Sequence, residues 1–245
     1  MMITEQQAPA AKEAKKFRIT HPQRIYFDRI DQYLARGMCW LDVGCGRKLV
    51  YPWLPDGEEL EDELKSRPAR LVGIDLDLAA LRDNVSFRDR LMADAEGLPF
   101  ADASFDLVTS NMVFEHVERP QPALTEIRRV MRRGGRLIIF TPNAYDLVSI
   151  VARAVPNRLH PLIVSRLEGR AAKDVYPTQF KFNRPREIRR IFNLVGFAAV
   201  RIEYVEHHNI FGHHPLIREV EALWHRIAKR VPAMRGTLLI EAEAV

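Results

Sequence analysis

Apolar and polar positions change period several times along the chain, and the changes divide it into elements. Over 22–36, PQRIYFDRIDQYLAR, apolar side chains recur at Ile25, Tyr26, Ile30, Tyr33 and Leu34. That spacing makes one helical face, with Pro22 near its start and Gly37 beyond its end. CWLDV (39–43) lacks the period and reads as a buried strand, as do LVGID (71–75), LMAD (91–94) and FDLVTS (105–110). RLIIFT (136–141) is apolar enough for the centre of a sheet covered on both faces.

Helical patterns alternate with these strands. A short acidic helix is expected at 58–66 and another from Asp77. Over 121–132, Leu124, Ile127, Val130 and Met131 share a face, and Gly134-Gly135 is expected to stop the helix. In PREIRRIFNLV (185–195) the stripe is Ile188, Ile191, Phe192 and Val195, opened by Pro185 and closed by Gly196. FAAVRIEYV (197–205) and TLLIEAEAV (237–245) complete the strands. Two prolines and a glycine in YPWLPDG (51–57) exclude a long uninterrupted helix there.

This alternation predicts an α/β domain with a doubly wound, mostly parallel sheet and helices on both faces. Two stretches exceed the minimal pattern and are expected to be insertions, 144–183 and 206–236. The second holds a helix at 215–230 with Leu216, Val220, Leu223, Trp224 and Ile227 facing one way. Residues 1–17 read as a flexible tail, leaving 18–245 as the domain.

Composition narrows this only slightly. Hydrophobic residues are 47% and charged residues 28%, ordinary for a soluble globular chain. A net charge of +5 permits anionic partners without demanding them. Cys39 and Cys45 flank one short strand and cannot bridge without destroying it, so a reducing, cytoplasmic setting is expected. The opening MMITEQQAPAAKEAKKF has no apolar segment of the secretory kind. No run approaches the ~18 apolar residues of a membrane span.

The chemistry begins at LDVGCGRKLV (41–50). Two glycines one residue apart after a buried strand let backbone approach a ligand without a Cβ between. In a doubly wound sheet ligands bind outside the carboxyl ends of the strands, where strand order reverses. Asp75 ends the next apolar strand, where a carboxylate can accept from both hydroxyls of a ribose. Asp94 ends the third, in reach of an adenine amino group. Together these describe an adenosine pocket. A nicotinamide dinucleotide would need G-x-G-x-x-G, and the third position here is Leu49. Nothing else cradles phosphate, so S-adenosylmethionine, an adenosine without phosphate, fits better.

In the order LDVGCG…GIDLD…ADAEGLPFADASFDLVTSNMVFEHV…GGRLIIFTPN the sequence resembles the class I S-adenosylmethionine-dependent methyltransferases, of the small-molecule, type 11-like group. The likeness covers 39–143, and 185–205 more loosely. It implies a Rossmann-like sheet of seven strands, the last antiparallel. It also implies that Gly44, Cys45 and Gly46 face the methionine moiety and that Asp42 helps hold its ammonium. Asp75 would bind the ribose and Leu76 would pack on adenine. Asp94 and Ala95 would read the adenine edge, and Asn111 would border the sulfonium. Lys48 departs from the pattern, since many members have glycine there. A lysine suits negative φ, and it either faces solvent or approaches the cofactor carboxylate.

A sulfonium methyl is already activated, so the protein must align a nucleophile and exclude water. A base is needed only for an acceptor that is protonated at working pH. In NMVFEHV the candidates are His116 and Glu115, with His116 alternatively capping its loop. Segment 146–170 reads as a lid over an apolar acceptor, as a basic surface making a peripheral membrane contact, or as a helical cap. In HHNIFGHH (207–214) adjacent histidines point to opposite faces, and no cysteine or carboxylate completes a set, so no metal is expected. His207 and His208, with Tyr176 of YPTQFKFN, are candidate acceptor contacts. The expected function is methyl transfer to a small or lipid-like organic acceptor at oxygen or carbon, without a nucleic-acid partner. The alternative is a non-catalytic binding or scaffold module on the same fold.

Overall fold

The computed structural model describes residues 21–154, 177–206 and 215–245. Helix α1 (Pro22–Tyr33) starts at His21, whose ring Nδ1 accepts from the Gln23 N–H at 3.2 Å. Its apolar stripe buries Tyr26, Phe27 and Ile30. The strands are β1 (Cys39–Val43), β2 (Arg70–Asp75), β3 (Asp89–Met92), β4 (Phe105–Asn111), β5 (Met131–Pro142), β6 (Phe197–Val205) and β7 (Thr237–Ala244). They form one seven-stranded sheet in the order β3-β2-β1-β4-β5-β7-β6. β1 to β5 pair in parallel, and β7 lies antiparallel between β5 and β6. This is the doubly wound, mostly parallel α/β architecture expected.

Side-chain parity explains the near-continuous apolar strands. Leu41, Val43, Leu137 and Ile139 point to one face, where helices α4 (Pro120–Val130) and α6 (Pro185–Val195) supply Leu124, Ile127, Ile188 and Phe192. Trp40, Ile138 and Phe140 point to the other, against Tyr26, Phe27 and Ile30 of α1 and Leu60 and Leu64 of α2 (Gly57–Ser66). A strand buried on both sides has no position left for a polar alternation.

The order reverses between β1 and β4. The chain winds outward through β2 and β3, then returns to pair β4 on the other side of β1. The carboxyl ends of β1 and β4 therefore border the crevice of the switch point. Helix α3 (Leu78–Asp83) leaves β2 nearby, capped by Asp77, which accepts from the N–H groups of Ala79 and Ala80.

The structure corrects several expectations. α4 ends at Val130 and β5 begins at once, so Gly134-Gly135 lies inside the strand and not at a helix stop. There the register with β4 jumps between Phe105 and Leu107. Gly134 has φ +79°, and a Cβ on Gly135 would meet the Arg132 carbonyl at 2.8 Å, so the pair makes a bulge. β3 ends at Met92, which leaves Asp94 in a loop. The 51–57 stretch is irregular, but the chain entering it is anchored. Leu49 N–H donates to Ser86 Oγ (2.9 Å), and the buried Glu61 carboxylate accepts from Val50 N–H (3.0 Å) and the Ser86 hydroxyl (2.9 Å).

The chain between β5 and α6 carries α5 (Leu147–Ala154), and that between β6 and β7 carries α7 (Pro215–Arg230). The described apolar residues of α7 are not buried together as expected. Val220, Leu223 and Ile227 are exposed, whereas Trp224 turns inward to donate to the Met234 carbonyl at 3.2 Å. Tyr176, His207, His208, most of 146–170 and the 1–17 tail lie outside the described residues.

Candidate functional site

The turn after β1 carries two glycines with different roles. Gly44 and Cys45 both donate to the Ile74 carbonyl, at 2.8 and 2.9 Å, which ties the turn to the end of β2. Gly44 has φ +78°, and a Cβ there would lie 2.1 Å from Val113 Cγ2. Its missing side chain makes room for the loop after β4. Gly46 has φ +52°, and a Cβ there would have only the Tyr51 hydroxyl within 4 Å, at 3.7 Å. The open backbone of the turn is therefore at Gly46. Cys45 enters the site only through its backbone. Its thiol packs inward, 2.8 Å from where a Gly73 Cβ would stand, and burial pushes its pKa up.

Asp75 is aimed at this turn. One carboxylate oxygen accepts from Gly46 N–H at 2.8 Å and the other from Asp77 N–H at 2.9 Å. Each oxygen keeps a further lone pair, and the side chain is only half-buried, so two hydroxyl donors can still approach. Beside it Leu76 is 66% exposed, and Met92, paired with Asp75 across the sheet, is 60% exposed. Two large apolar side chains left in solvent next to an oriented carboxylate make a surface for a flat ring. Asp94 is exposed, and its carboxylate accepts from Glu96 N–H at 2.9 Å; Ala95 behind it is buried. Lys48 is half-buried and has no positive φ, which accounts for a lysine where glycine is common in the resembled family.

Asp42 sits beneath the turn. It is buried and accepts from the Thr109 hydroxyl at 2.5 Å, and Thr109 in turn accepts from Trp40 Nε1 at 2.7 Å. Burial pushes its pKa up to about 7; the Thr109 hydrogen bond opposes the rise and the Asp75 charge adds to it. A cation bound at the turn would favour the ionised form.

Asn111 ends β4, and its carboxamide exchanges two hydrogen bonds with Gln23 of α1, at 2.8 and 3.1 Å. The next residue, Met112, has φ +55°, a conformation that non-glycine residues adopt rarely. The start of α1 also brings His21 against Trp53, ring centroids 4.9 Å apart, and Trp53 stacks on Tyr51 at 5.8 Å. Gln23, His21, Tyr51 and Trp53 thus border the crevice, and none of the four was among the expected site residues. The signal available was the cluster of aromatics in YPWLPDG beside the glycine turn.

Glu115 and His116 lie on the loop after β4, whose Val113 packs on Gly44. Glu115 is buried and accepts from the Thr141 hydroxyl at 3.2 Å, and Asn183 donates to Thr141 at 2.9 Å. His116 Nδ1 is 2.9 Å from the Pro177 carbonyl. A carbonyl only accepts, so Nδ1 carries the proton and Nε2 is the basic nitrogen, 3.8 Å from Glu115 Oε1. Gln179 and Phe180 N–H groups bind the Glu115 carbonyl at 2.7 and 3.2 Å, fixing the 177–180 segment to this loop. Among the described residues no group of three His, Cys, Asp or Glu side chains is placed to hold a metal. A hollow of about 430 Å³ at Cys39, Arg70 and Phe105 lies at the amino ends of the strands, away from these residues.

The comparisons with known proteins agree with this geometry. Residues 41–139 match the family model described as a methyltransferase domain. Over 80 residues the chain is 44% identical to the ubiquinone/menaquinone biosynthesis C-methyltransferase UbiE of Roseobacter denitrificans, covering 29% of this chain and 31% of that protein. Over 113 residues it is 33% identical to the malonyl-[acyl-carrier protein] O-methyltransferase of Methylococcus capsulatus, covering 46% and 35%. The chain thus spans about a third of the length of these curated relatives. The crystal structure of a SAM-dependent methyltransferase from Archaeoglobus fulgidus superposes with a TM-score of 0.53 at 19% identity, covering 96% of this chain and 99% of that one. Residues 41–139 match a methyltransferase domain, and the sheet has the Rossmann-like fold of that S-adenosylmethionine-dependent neighbour. The open backbone at Gly46, the oriented Asp75 and the exposed Leu76 and Met92 fit that cofactor's sulfonium nucleoside.

Proposed function

We propose that this protein transfers a methyl group from S-adenosylmethionine to a small or lipid-like organic acceptor, at oxygen or carbon. The observation that carries the proposal is the hydrogen bond from Gly46 N–H to Asp75, which sets an acidic strand end beside an open glycine turn. In this reading Asp75 holds the ribose, and Leu76 and Met92 pack on the adenine. Asp94 and the Ala95 backbone read its edge. The Gly44-Cys45-Gly46 turn lies against the methionine moiety, with Asp42 ionising beneath its positive charge, and Asn111 borders the reacting end. When bound, the cofactor supplies a methyl group activated by the sulfonium charge.

The chain's own residues align the acceptor and remove its proton. His116 Nε2, its tautomer set by the Pro177 carbonyl, takes the proton, and the Glu115 carboxylate stabilises the imidazolium that forms. With the cofactor bound, the methyl group would pass to the acceptor as its bond to sulfur breaks and the thioether S-adenosylhomocysteine leaves, and the proton would stay on His116 until water removes it. The segments 144–183 and 206–236 are proposed as the insertions that shape the acceptor side, with Tyr176, His207 and His208 as contacts. The relatives, one named for C-methylation and one for O-methylation, support either attacking atom. A cytoplasmic place for the chain rests on its two free cysteines.

Calorimetry with S-adenosylhomocysteine tests the pocket. Binding in the micromolar range that Asp75→Ala weakens is the expected result. No binding removes the proposal, and binding without turnover on any acceptor favours the scaffold module.

A further inference from the structure

α7 packs one side on the domain and leaves an aliphatic stripe unused by the fold. Glu221 and Ala228 are buried and Trp224 is half-buried, so this side packs on the domain. On the other side Val220, Leu223 and Ile227, with Val231 just past the helix, are 55%, 52%, 38% and 43% exposed. They recur three or four residues apart and form one aliphatic stripe along the outer surface. Arg226 and Arg230 are exposed along one flank of the stripe and Lys229 further round the last turn, and none makes an ion pair with a carboxylate among the described residues. Complementing the helix dipole accounts for cations in the last turn. It does not account for three large aliphatics held in water on the same helix and a fourth just past it.

We propose that this outer face of α7 docks on an anionic lipid surface, with the aliphatic stripe entering the headgroup–acyl boundary and Arg226, Lys229 and Arg230 meeting lipid phosphates. Charge selects this occupant over a second copy of the chain. From Glu219 onward the exposed part of the helix offers a single carboxylate, Glu219 itself, against three cations. A symmetric contact would therefore crowd like charges, whereas anionic headgroups neutralise them. Interfacial helices bind through buried apolar area combined with attraction to anionic lipid, the two features joined here. Among the described residues no helix is long and apolar enough to cross a membrane, so the contact is peripheral.

Co-sedimentation with large unilamellar vesicles tests this without reference to methyl transfer. The full chain is expected to partition onto mixed phosphatidylcholine–phosphatidylglycerol vesicles and not onto phosphatidylcholine alone, with binding falling as salt is raised. The double variant Leu223→Glu, Ile227→Glu is expected to lower partitioning by about tenfold or more while its melting curve is unchanged. The triple variant Arg226→Glu, Lys229→Glu, Arg230→Glu is expected to abolish the preference for anionic vesicles, and it decides the matter if the first variant does not fold. Failure to bind mixed vesicles overturns the proposal. So does binding that neither variant reduces. So does a dimer, by light scattering, that Leu223→Glu with Ile227→Glu converts to monomer.

Discussion

Asp42→Asn is the substitution whose effect the structure specifies most fully. Asparagine keeps an oxygen to accept from Thr109 and removes only the charge, so the Trp40–Thr109–residue 42 chain can persist. The wild-type carboxyl has its pKa raised from an ordinary 3.8 to about 7, chiefly by burial. Between those values the native protein binds a proton that the unfolded chain has released. Stability therefore falls as pH rises from about 4 to about 7, and is flat above, where both states are ionised. Linkage gives a loss of about 2 to 3 kcal/mol between about pH 5 and about pH 8.5 from this group alone. Other titrating groups contribute to each curve but cancel in the difference between variant and wild type. Urea denaturation of both proteins at the two pH values should show Asp42→Asn gaining about 2 to 3 kcal/mol on the wild type from the lower pH to the higher. Saturating S-adenosylhomocysteine, whose ammonium favours the carboxylate, should shrink that gain. A difference between the proteins that does not change with pH would refute the reasoning, because residue 42 would then be ionised in the folded chain as it is in the unfolded one.

Three further outcomes follow from the same geometry. Asp75→Ala should weaken S-adenosylhomocysteine binding by about 1–3 kcal/mol, roughly 5- to 150-fold in Kd, and calorimetry reads this directly. Gly44→Ala should destabilise by about 2–5 kcal/mol, because it combines left-handed strain with a clash on Val113, whereas Gly37→Ala, with φ +84° and no atom within 4 Å, should cost about 1–2 kcal/mol. Thermal melts compare the two, and equal losses would show that the Val113 contact relaxes freely. His116→Gln should lower kcat by about 10²-fold or more with little change in cofactor Kd, measured as S-adenosylhomocysteine release on an acceptor that supports turnover.

The fold was readable from the sequence because both faces of the sheet are covered. Short apolar runs then mark strands, and 3.6-period stripes mark the helices that cover them. Asp75 and Gly46 were readable for a related reason: in a doubly wound sheet the ends of successive strands meet along one edge, so strand-end residues far apart in sequence become neighbours by topology alone. What stayed hidden depends on particular side chains meeting. Gln23 and Asn111 are 88 residues apart, and nothing in either neighbourhood announces a carboxamide pair. The wheel of α7 placed five apolar residues together, but a wheel cannot tell which of two adjoining apolar sectors the domain will cover. Trp224 was drawn inward by the Met234 carbonyl, and that left Val220, Leu223 and Ile227 outside.

The two glycines of the turn show how far local chemistry reaches before packing takes over. Both have positive φ, so sequence logic treats them alike as places where backbone meets a ligand. The structure separates them. Gly46 keeps its open side toward the crevice, while Gly44 gives its space to Val113, in the same loop that carries Glu115 and His116. The Val113 carbonyl also accepts from His116 N–H at 2.8 Å. The turn proposed to face the cofactor and the loop that holds the candidate base therefore rest on one another directly. A side chain at 44 would push the loop outward and carry His116 with it, away from the Pro177 carbonyl that sets its tautomer. Gly44→Ala should for that reason impair turnover more than it impairs cofactor binding, the reverse of what a ligand-wall glycine would show. Comparing kcat with Kd for S-adenosylhomocysteine in that one variant, at a temperature where it remains folded, separates the two roles.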